Sequence, residues 1–342
     1  MKQIKETAYA KINLGLDILG KREDGYHEVS MIMQSVGLSD EVVISKGNGI
    51  QISSNLHNLS CGPDNLAYRA AALLAGHCNI IPNVHIALNK KIFLAAGLAG
   101  GSSDAAAVLR GLNRYWELNL ENYELEQLAA QLGSDIPFCI EGGTMLATGR
   151  GEVLTKLEDM PETWLVLAKP RGLEVSTAWV YQNFNHGRVV HAPCIWQLEA
   201  YLREGGKAIA PYMGNVLETV TIPAHPVIAS IKAAMLGAGA YYSLMSGSGP
   251  TVFGIFEKIE IVRRKIHLQN CVFGSHLGER ELLDLSDLNT LLGKLILGLL
   301  IAESGILQLF LQTGAVLANL ALQRIDRVVK RDDDLFVFFF GA

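Results

Sequence analysis

The chemistry this chain could perform is concentrated in a few short stretches. Ala96-Gly97-Leu98-Ala99-Gly100-Gly101-Ser102-Ser103-Asp104 runs into an alanine-rich segment of strong helix propensity. Glycines there would let the backbone close on a polyphosphate. The first amides of the following helix lack internal partners and lie at the positive end of its dipole. Ser103 would add a hydroxyl for a phosphate or for Mg²⁺, an ion that prefers hard oxygen ligands. The stretch lacks the lysine of a P-loop and the spacing of a dinucleotide fingerprint. The same residues would also suit a plain tight turn into a well-capped helix.

Gly133-Ser134-Asp135-Ile136-Pro137-Phe138 follows the end of a helical pattern. Phosphoryl transfer to an alcohol needs a carboxylate beside the hydroxyl to orient it and take its proton, and Asp135 could serve. Capping is the other reading, since Ser134-Asp135 with Pro137 in the first turn matches a helix start. Lys11 stands in the alternating run Ala8–Leu14, on one face with Asn13, while Ile12 and Leu14 share the other. If that face is buried, Lys11 needs an anionic partner; if it is the outer face, it needs none. Periodicity leaves both open. Ser246-Gly247-Ser248-Gly249-Pro250 forms a second glycine stretch.

The elements that must position these residues mix strands and helices without regular alternation, which points to α+β. Strands are expected over Thr7–Ile18, His27–Val36, Glu41–Ser45, Val84–Leu88, Trp164–Ala168, Tyr241–Met245 and Thr251–Phe256. Helices are expected over Asp64–Leu74, capped by Asn65 or Asp64, over Ser102–Leu112, over about Tyr123–Leu132 and within Ile222–Leu236. Glu158–Glu162 marks a boundary between two domains, with a break in character near 278. The expected units are 1–157, 158–278 and an atypical tail, 279–342.

Of 342 residues, 49% are hydrophobic, enough for a large core, and the net charge of −5 gives no general pull toward nucleic acid or an anionic membrane. Five widely spaced cysteines with no close pair read as reduced, mostly buried thiols of a cytoplasmic protein, with neither zinc nor disulfides. The N-terminus carries no apolar signal core. From about Asp287 the chain turns leucine-rich. Its 304–322 window has no charge, but Gln308, Gln312 and Asn319 interrupt it, so a packed helical pair is expected over a membrane span.

Taken together, Ala10-Lys11-Ile12-Asn13-Leu14, Asp24-Gly25-Tyr26-His27, Gly97–Asp104, Gly133–Pro137 and Met245–Thr251 are similar, in order and spacing, to the motifs of the diphosphocytidyl-methylerythritol kinases of the GHMP superfamily. The resemblance covers about residues 5–256. It implies a two-domain α+β fold, with an N-terminal ATP-binding domain, a ferredoxin-like C-terminal domain and the active site between them. It also implies ATP, Mg²⁺ and a cytidine diphosphate-linked methylerythritol as the small-molecule substrate, with no nucleic acid, no membrane, and a monomer or homodimer.

Residue by residue, the resemblance gives Gly97, Leu98, Ala99, Gly100, Gly101, Ser102 and Ser103 to the ATP phosphates, with help from Lys90. It gives Asn65 and Leu66 to the adenine pocket and Ser103 to the metal. Asp135 would act on the substrate 2-hydroxyl, with Lys11 stabilising the alkoxide. Tyr26 and Tyr181 would sandwich the cytosine, His27 would read its edge, and Asn13 and Thr177 would add hydrogen bonds. Gly247, Ser248 and Gly249 would close over the substrate diphosphate. Two departures stand out. Phe93 replaces the proline usual at the phosphate-loop entry, and the 64 residues from Glu279 match no part of the family pattern.

Overall fold

The computed structural model describes residues 2–257, together with the backbone of the strands Cys271–Phe273 and Leu335–Gly341. In chain order the first half contains β1 (Gln3–Lys21), β2 (His27–Lys46), β3 (Gly49–Ser54), α1 (Leu66–His77), β4 (Asn83–Asn89), α2 (Gly100–Tyr115), α3 (Asn122–Ala129), α4 (Ile136–Glu141), β5 (Thr144–Thr148) and β6 (Val153–Lys156). The second half contains β7 (Trp164–Pro170), α5 (Thr177–Gln182), α6 (Ile195–Ala200), α7 (Gly206–Ile209), β8 (Gly214–Asn215), α8 (Glu218–Ala224), α9 (Val227–Gly237), β9 (Tyr242–Met245), β10 (Val252–Phe256), β11 (Cys271–Phe273) and β12 (Leu335–Gly341). The leucine-rich stretch and its uncharged window lie outside the described residues. Among those described, no single helix is long and apolar enough to cross a membrane.

The α+β expectation holds as two sheets. The first runs β3-β4-β2-β1-β8, with β5 on β2 and β6 on β5; the second runs β11-β12-β7-β10-β9. Strands expected separately at His27–Val36 and Glu41–Ser45 are one 20-residue strand, because β2 follows β1 along its whole length. The pair stays in contact through register shifts between Tyr9 and Lys11, between Asn13 and Gly15, and between Ile18 and Gly20. β8 joins β1 through Gly15–Gly214 and Leu16–Asn215, so the first sheet ends on residues well past the expected boundary at 157. β12 pairs antiparallel with β7 from Leu335 against Pro170 to Gly341 against Trp164, so part of the atypical tail is a strand of the second sheet.

Burial explains why β1 carries polar residues. From Ala10 to Leu16 both faces of the strand are covered. Ile12 and Leu14 pack toward Leu165, Leu167 and Phe253 of the second sheet. On the helical side of the first sheet, Ala67, Ala70 and Ala71 of α1 and Ala105–Leu109 of α2 form a core with Val42, Ile44, Val84 and Ile86. Small alanine side chains let the two helices approach each other and the sheet closely, which sets the start of α2 against β1.

Candidate active site

α2 begins at Gly100, two residues before the expected Ser102, and no side chain caps it. Its cap residue Ala99 has φ 57°, Ala95 has φ 47° and Gly97 has φ 73°. Two alanines in the left-handed region are strained, and such strain is held only where the surrounding structure over-determines it. The result is a loop whose helix amides lack side-chain partners, the arrangement that favours an anion. Gly97 is required sterically, because a Cβ there would collide with the Ser246 carbonyl oxygen. Leu98 buries its side chain in the core while its carbonyl accepts from Lys11 N–H at 3.1 Å.

The neighbours of this loop are less uniform. Leu66 lies beside it, with its Cδ1 3.6 Å from where a Gly101 Cβ would stand. Asn65 caps α1, accepting from Ala67 N–H at 2.8 Å and donating to Ser60 O at 2.6 Å. Ser102 is half-buried, but Ser103 is buried, its N–H bonded to Ala99 O at 2.8 Å and its hydroxyl donating to Tyr9 O. Only the lone pairs of the Ser103 hydroxyl remain for a cation.

Lys90 corrects an expectation. Its ammonium is buried and ion-paired with both Asp40 and Asp104, and its third neighbour is Gly100 O at 3.4 Å. With its donors held by two carboxylates, it supports the loop from beneath and is not free for a phosphate. Asp40 also accepts from the Lys91 and Ile92 amides, while Asp104 Oδ1 is buried without a partner. Burial works against the Lys90 charge, but the two aspartates outweigh it and raise its pKa. Burial pushes the Asp104 carboxyl up to about 7, because one ammonium cannot fully offset burial and a second carboxylate.

Lys11 settles the question of faces. It is buried, 4% exposed, and its Nζ lies 2.9 Å from Asn13 Oδ1 and 3.5 Å from Asp135 Oδ2. Asn13 also donates from Nδ2 to Met31 Sδ at 3.2 Å. Asp135 occupies the cap position of α4 yet makes no capping hydrogen bond. The capping reading therefore fails, and the carboxylate turns to Lys11 with 34% of its side chain open to solvent. Behind this pair lies Cys139, a half-buried thiol pushed up to about 12 by desolvation and then by the Asp135 charge. It is an inert neighbour. Among the described thiols Cys61 is exposed and Cys78, Cys139 and Cys194 are half-buried, against the expectation of mostly buried cysteines.

A cluster of rings borders the same carboxylate. Burial first, and the charge of Asp135 second, raise the Tyr181 hydroxyl pKa, which puts Tyr181 within electrostatic reach of that carboxylate. His27 packs on Tyr181 with ring centroids 5.4 Å apart and on Phe184 at 6.4 Å. Tyr26 projects from the β1–β2 turn, 56% exposed, with the Arg150 guanidinium 5.1 Å from its ring centre. Tyr26 and Tyr181 thus have different neighbours. Phe184, just past the end of α5, and Arg150 were not read from the sequence.

The second glycine stretch is buried throughout, against the first. Ser246 Oγ donates to Gly97 O at 3.0 Å, and Thr177 Oγ1 lies 2.8 Å from Ser248 Oγ. Gly249 N–H is committed to Ser246 O at 2.9 Å, so this amide cannot reach a substrate diphosphate as expected. Asn215 fixes the stretch by donating to Met245 O at 2.8 Å and Gly247 O at 2.7 Å. That side chain also escaped the sequence reading, because its partners lie 30 and 32 residues away.

No group of three or more His, Cys, Asp or Glu among the described residues could hold a metal ion.

With that geometry in hand, comparison with known proteins is informative. The family profile of the GHMP kinases N terminal domain matches residues 65–143, and that of the GHMP kinases C terminal matches 198–270. The chain is 49% identical over 259 residues to 4-diphosphocytidyl-2-C-methyl-D-erythritol kinase of Acetivibrio thermocellus, covering 75% of this chain and 91% of that one. It is 48% identical over 264 residues to the enzyme of the same name in Bacillus pumilus, covering 77% and 91%. A crystal structure of 4-(cytidine 5'-diphospho)-2C-methyl-D-erythritol kinase matches with a TM-score of 0.67 and 34% identity, over 76% of this chain and 93% of that one. A homoserine kinase structure from Cytophaga hutchinsonii, at TM-score 0.61 and 20% identity over 77% and 88%, shares the fold.

Proposed function

The chain belongs to the 4-diphosphocytidyl-2-C-methyl-D-erythritol kinases of the GHMP family, and from that premise we propose how its residues transfer the terminal phosphoryl group of ATP to the substrate 2-hydroxyl. The observation that carries the proposal is the Lys11–Asp135 pair, buried on one side and open on the other, beside a helix start without side-chain caps.

The amides of Gly100, Gly101 and Ser102 hold the ATP phosphates, with Gly97 and Ala99 shaping their approach and Asn65 and Leu66 bordering the adenine. Asp135 orients the 2-hydroxyl and accepts its proton as the oxygen attacks the γ-phosphorus. One O–P bond forms, the bond to the ADP oxygen breaks, and the proton resides on the carboxylate. Lys11 sits where it stabilises the developing alkoxide and the negative charge passing through the transferred group, with Asn13 fixing its ammonium. Bound Mg²⁺ would offset phosphate charge, and the Ser103 hydroxyl would supply a protein oxygen to hold it.

At the other end, Tyr26 stacks on the cytosine and His27 meets its edge, backed by Tyr181 and Phe184. Burial and then Lys21 hold the His27 pKa below its ordinary value, so it meets the base as a neutral imidazole with one donor and one acceptor. Gly247 and Ser248 act with Thr177 as the wall beside the substrate. Turnover in the cytosol, where the nucleotide is available, follows from this reading.

A coupled assay of ATP consumption tests it. The cytidine-linked alcohol should be phosphorylated at least ~100-fold more efficiently than homoserine or mevalonate, since a site built to pair a base leaves polar groups unpaired without one. Comparable rates on cytidine-free alcohols would overturn the assignment.

A further inference from the structure

We infer that Arg150 is a positioning residue for Tyr26: its guanidinium covers one face of the ring and holds the opposite face toward the substrate base. The inference rests on the reading of Tyr26 as the stacking partner of cytosine.

The geometry favours such a role. Tyr26 rises from a tight turn, with Gly25 at φ 85°, and 56% of it is exposed, so packing alone does not fix its ring. Arg150 lies at the tip of the β5–β6 turn, between Gly149 at φ 70° and Gly151 at φ 106°. Its own position is fixed from below: its N–H donates to Glu152 Oε2 at 2.7 Å and its Nε to Glu152 Oε1 at 3.2 Å. The two turns are also tied together. Gly149 N–H donates to Glu28 Oε1 at 3.1 Å, Val29 N–H donates to Gly149 O at 2.9 Å, and Glu28 holds Arg22 at 2.5 Å.

An arginine placed over a tyrosine face at 5.1 Å is an attractive contact that leaves the other face open. Restricting an exposed ring to its bound orientation before the substrate arrives lowers the ordering cost of binding. Arg150 therefore acts on affinity for the cytidine end and not on the transfer step.

The test is a double-mutant cycle on the full chain with Arg150→Ala, Tyr26→Ala and the pair, reading KM for each substrate and kcat. Arg150→Ala should raise KM for the cytidine-linked alcohol roughly three- to fivefold, with kcat and KM for ATP within about twofold. In the Tyr26→Ala background it should add nothing, and Arg150→Lys should fall between. If the alanine variant does not fold, Arg150→Gln, which keeps a donor for Glu152, replaces it in the cycle. Equal effects of the Arg150 substitution with and without Tyr26 would overturn the inference, since the guanidinium would then act on the substrate or the fold directly. Tyr26→Ala with an unchanged KM would sink the stacking reading, and this inference with it.

Discussion

The two ends of the active site are built in opposite ways. At the phosphate end, main-chain amides form the proposed binding surface, and the side chains beneath them are buried: Lys90 with Asp40 and Asp104, Leu98 in the core, Ser103 against Tyr9. At the cytidine end the groups are side chains on turns and a short helix, with Tyr26 more than half exposed. A triphosphate is the same in every ATP-dependent enzyme, and amides on a rigid helix read it without reference to sequence. A base must be told apart from other alcohol substituents, and in the proposed site exchangeable rings do that. Homoserine kinase and mevalonate kinase structures at 20% identity or less share this fold.

If that contrast is right, damage at the two ends should separate. The largest effect on stability is expected at the phosphate end. Lys90→Met leaves two buried carboxylates without their cation and should cost about 3–5 kcal/mol in denaturant unfolding, together with nucleotide affinity. A loss under about 1 kcal/mol would mean the cluster is solvated and the end less rigid than described.

The smallest effect belongs to the cytidine end and is read by pH. Because burial depresses the His27 pKa, the group is neutral above its usual 6.5 and charges only as pH falls through its lower folded value. The unfolded chain binds the proton first, so stability also drops in that window and recovers as pH rises. KM for the cytidine-linked alcohol should therefore stay flat down through His27's ordinary pKa and rise a few-fold only as pH falls through the lower folded one, while KM for ATP stays level. The profile should flatten in His27→Asn. Parallel changes in both KM values would show that the ends are not independent.

Much of the phosphate end was legible because its residues are contiguous. Gly97–Asp104 carries glycine, serine and alanine in the order a helix-borne anion site requires, and the helix expected over Ser102–Leu112 runs over Gly100–Tyr115, longer at both ends. The base and its cation were visible as candidates but undecided. Sequence could not tell a capping aspartate from a free one, nor the buried face of β1 from the exposed one, because a second sheet covers what would otherwise be the outer side. Long-range partners were beyond reach. Asp40 lies 50 residues from Lys90, and nothing in Val36-Gly37-Leu38-Ser39-Asp40-Glu41-Val42 marks it as that lysine's partner. Arg150 meets Tyr26 through two turns that are distant in the chain and share no pattern.

In the proposed mechanism Asp135 takes the proton of the acceptor hydroxyl beside Lys11. This step is tested most directly by single-turnover phosphoryl transfer in Asp135→Asn, with binding of a non-hydrolysable ATP analogue measured on the same protein. The expected result is a loss of at least ~100-fold in the transfer step with nucleotide affinity unchanged. Transfer at the wild-type rate would contradict the account.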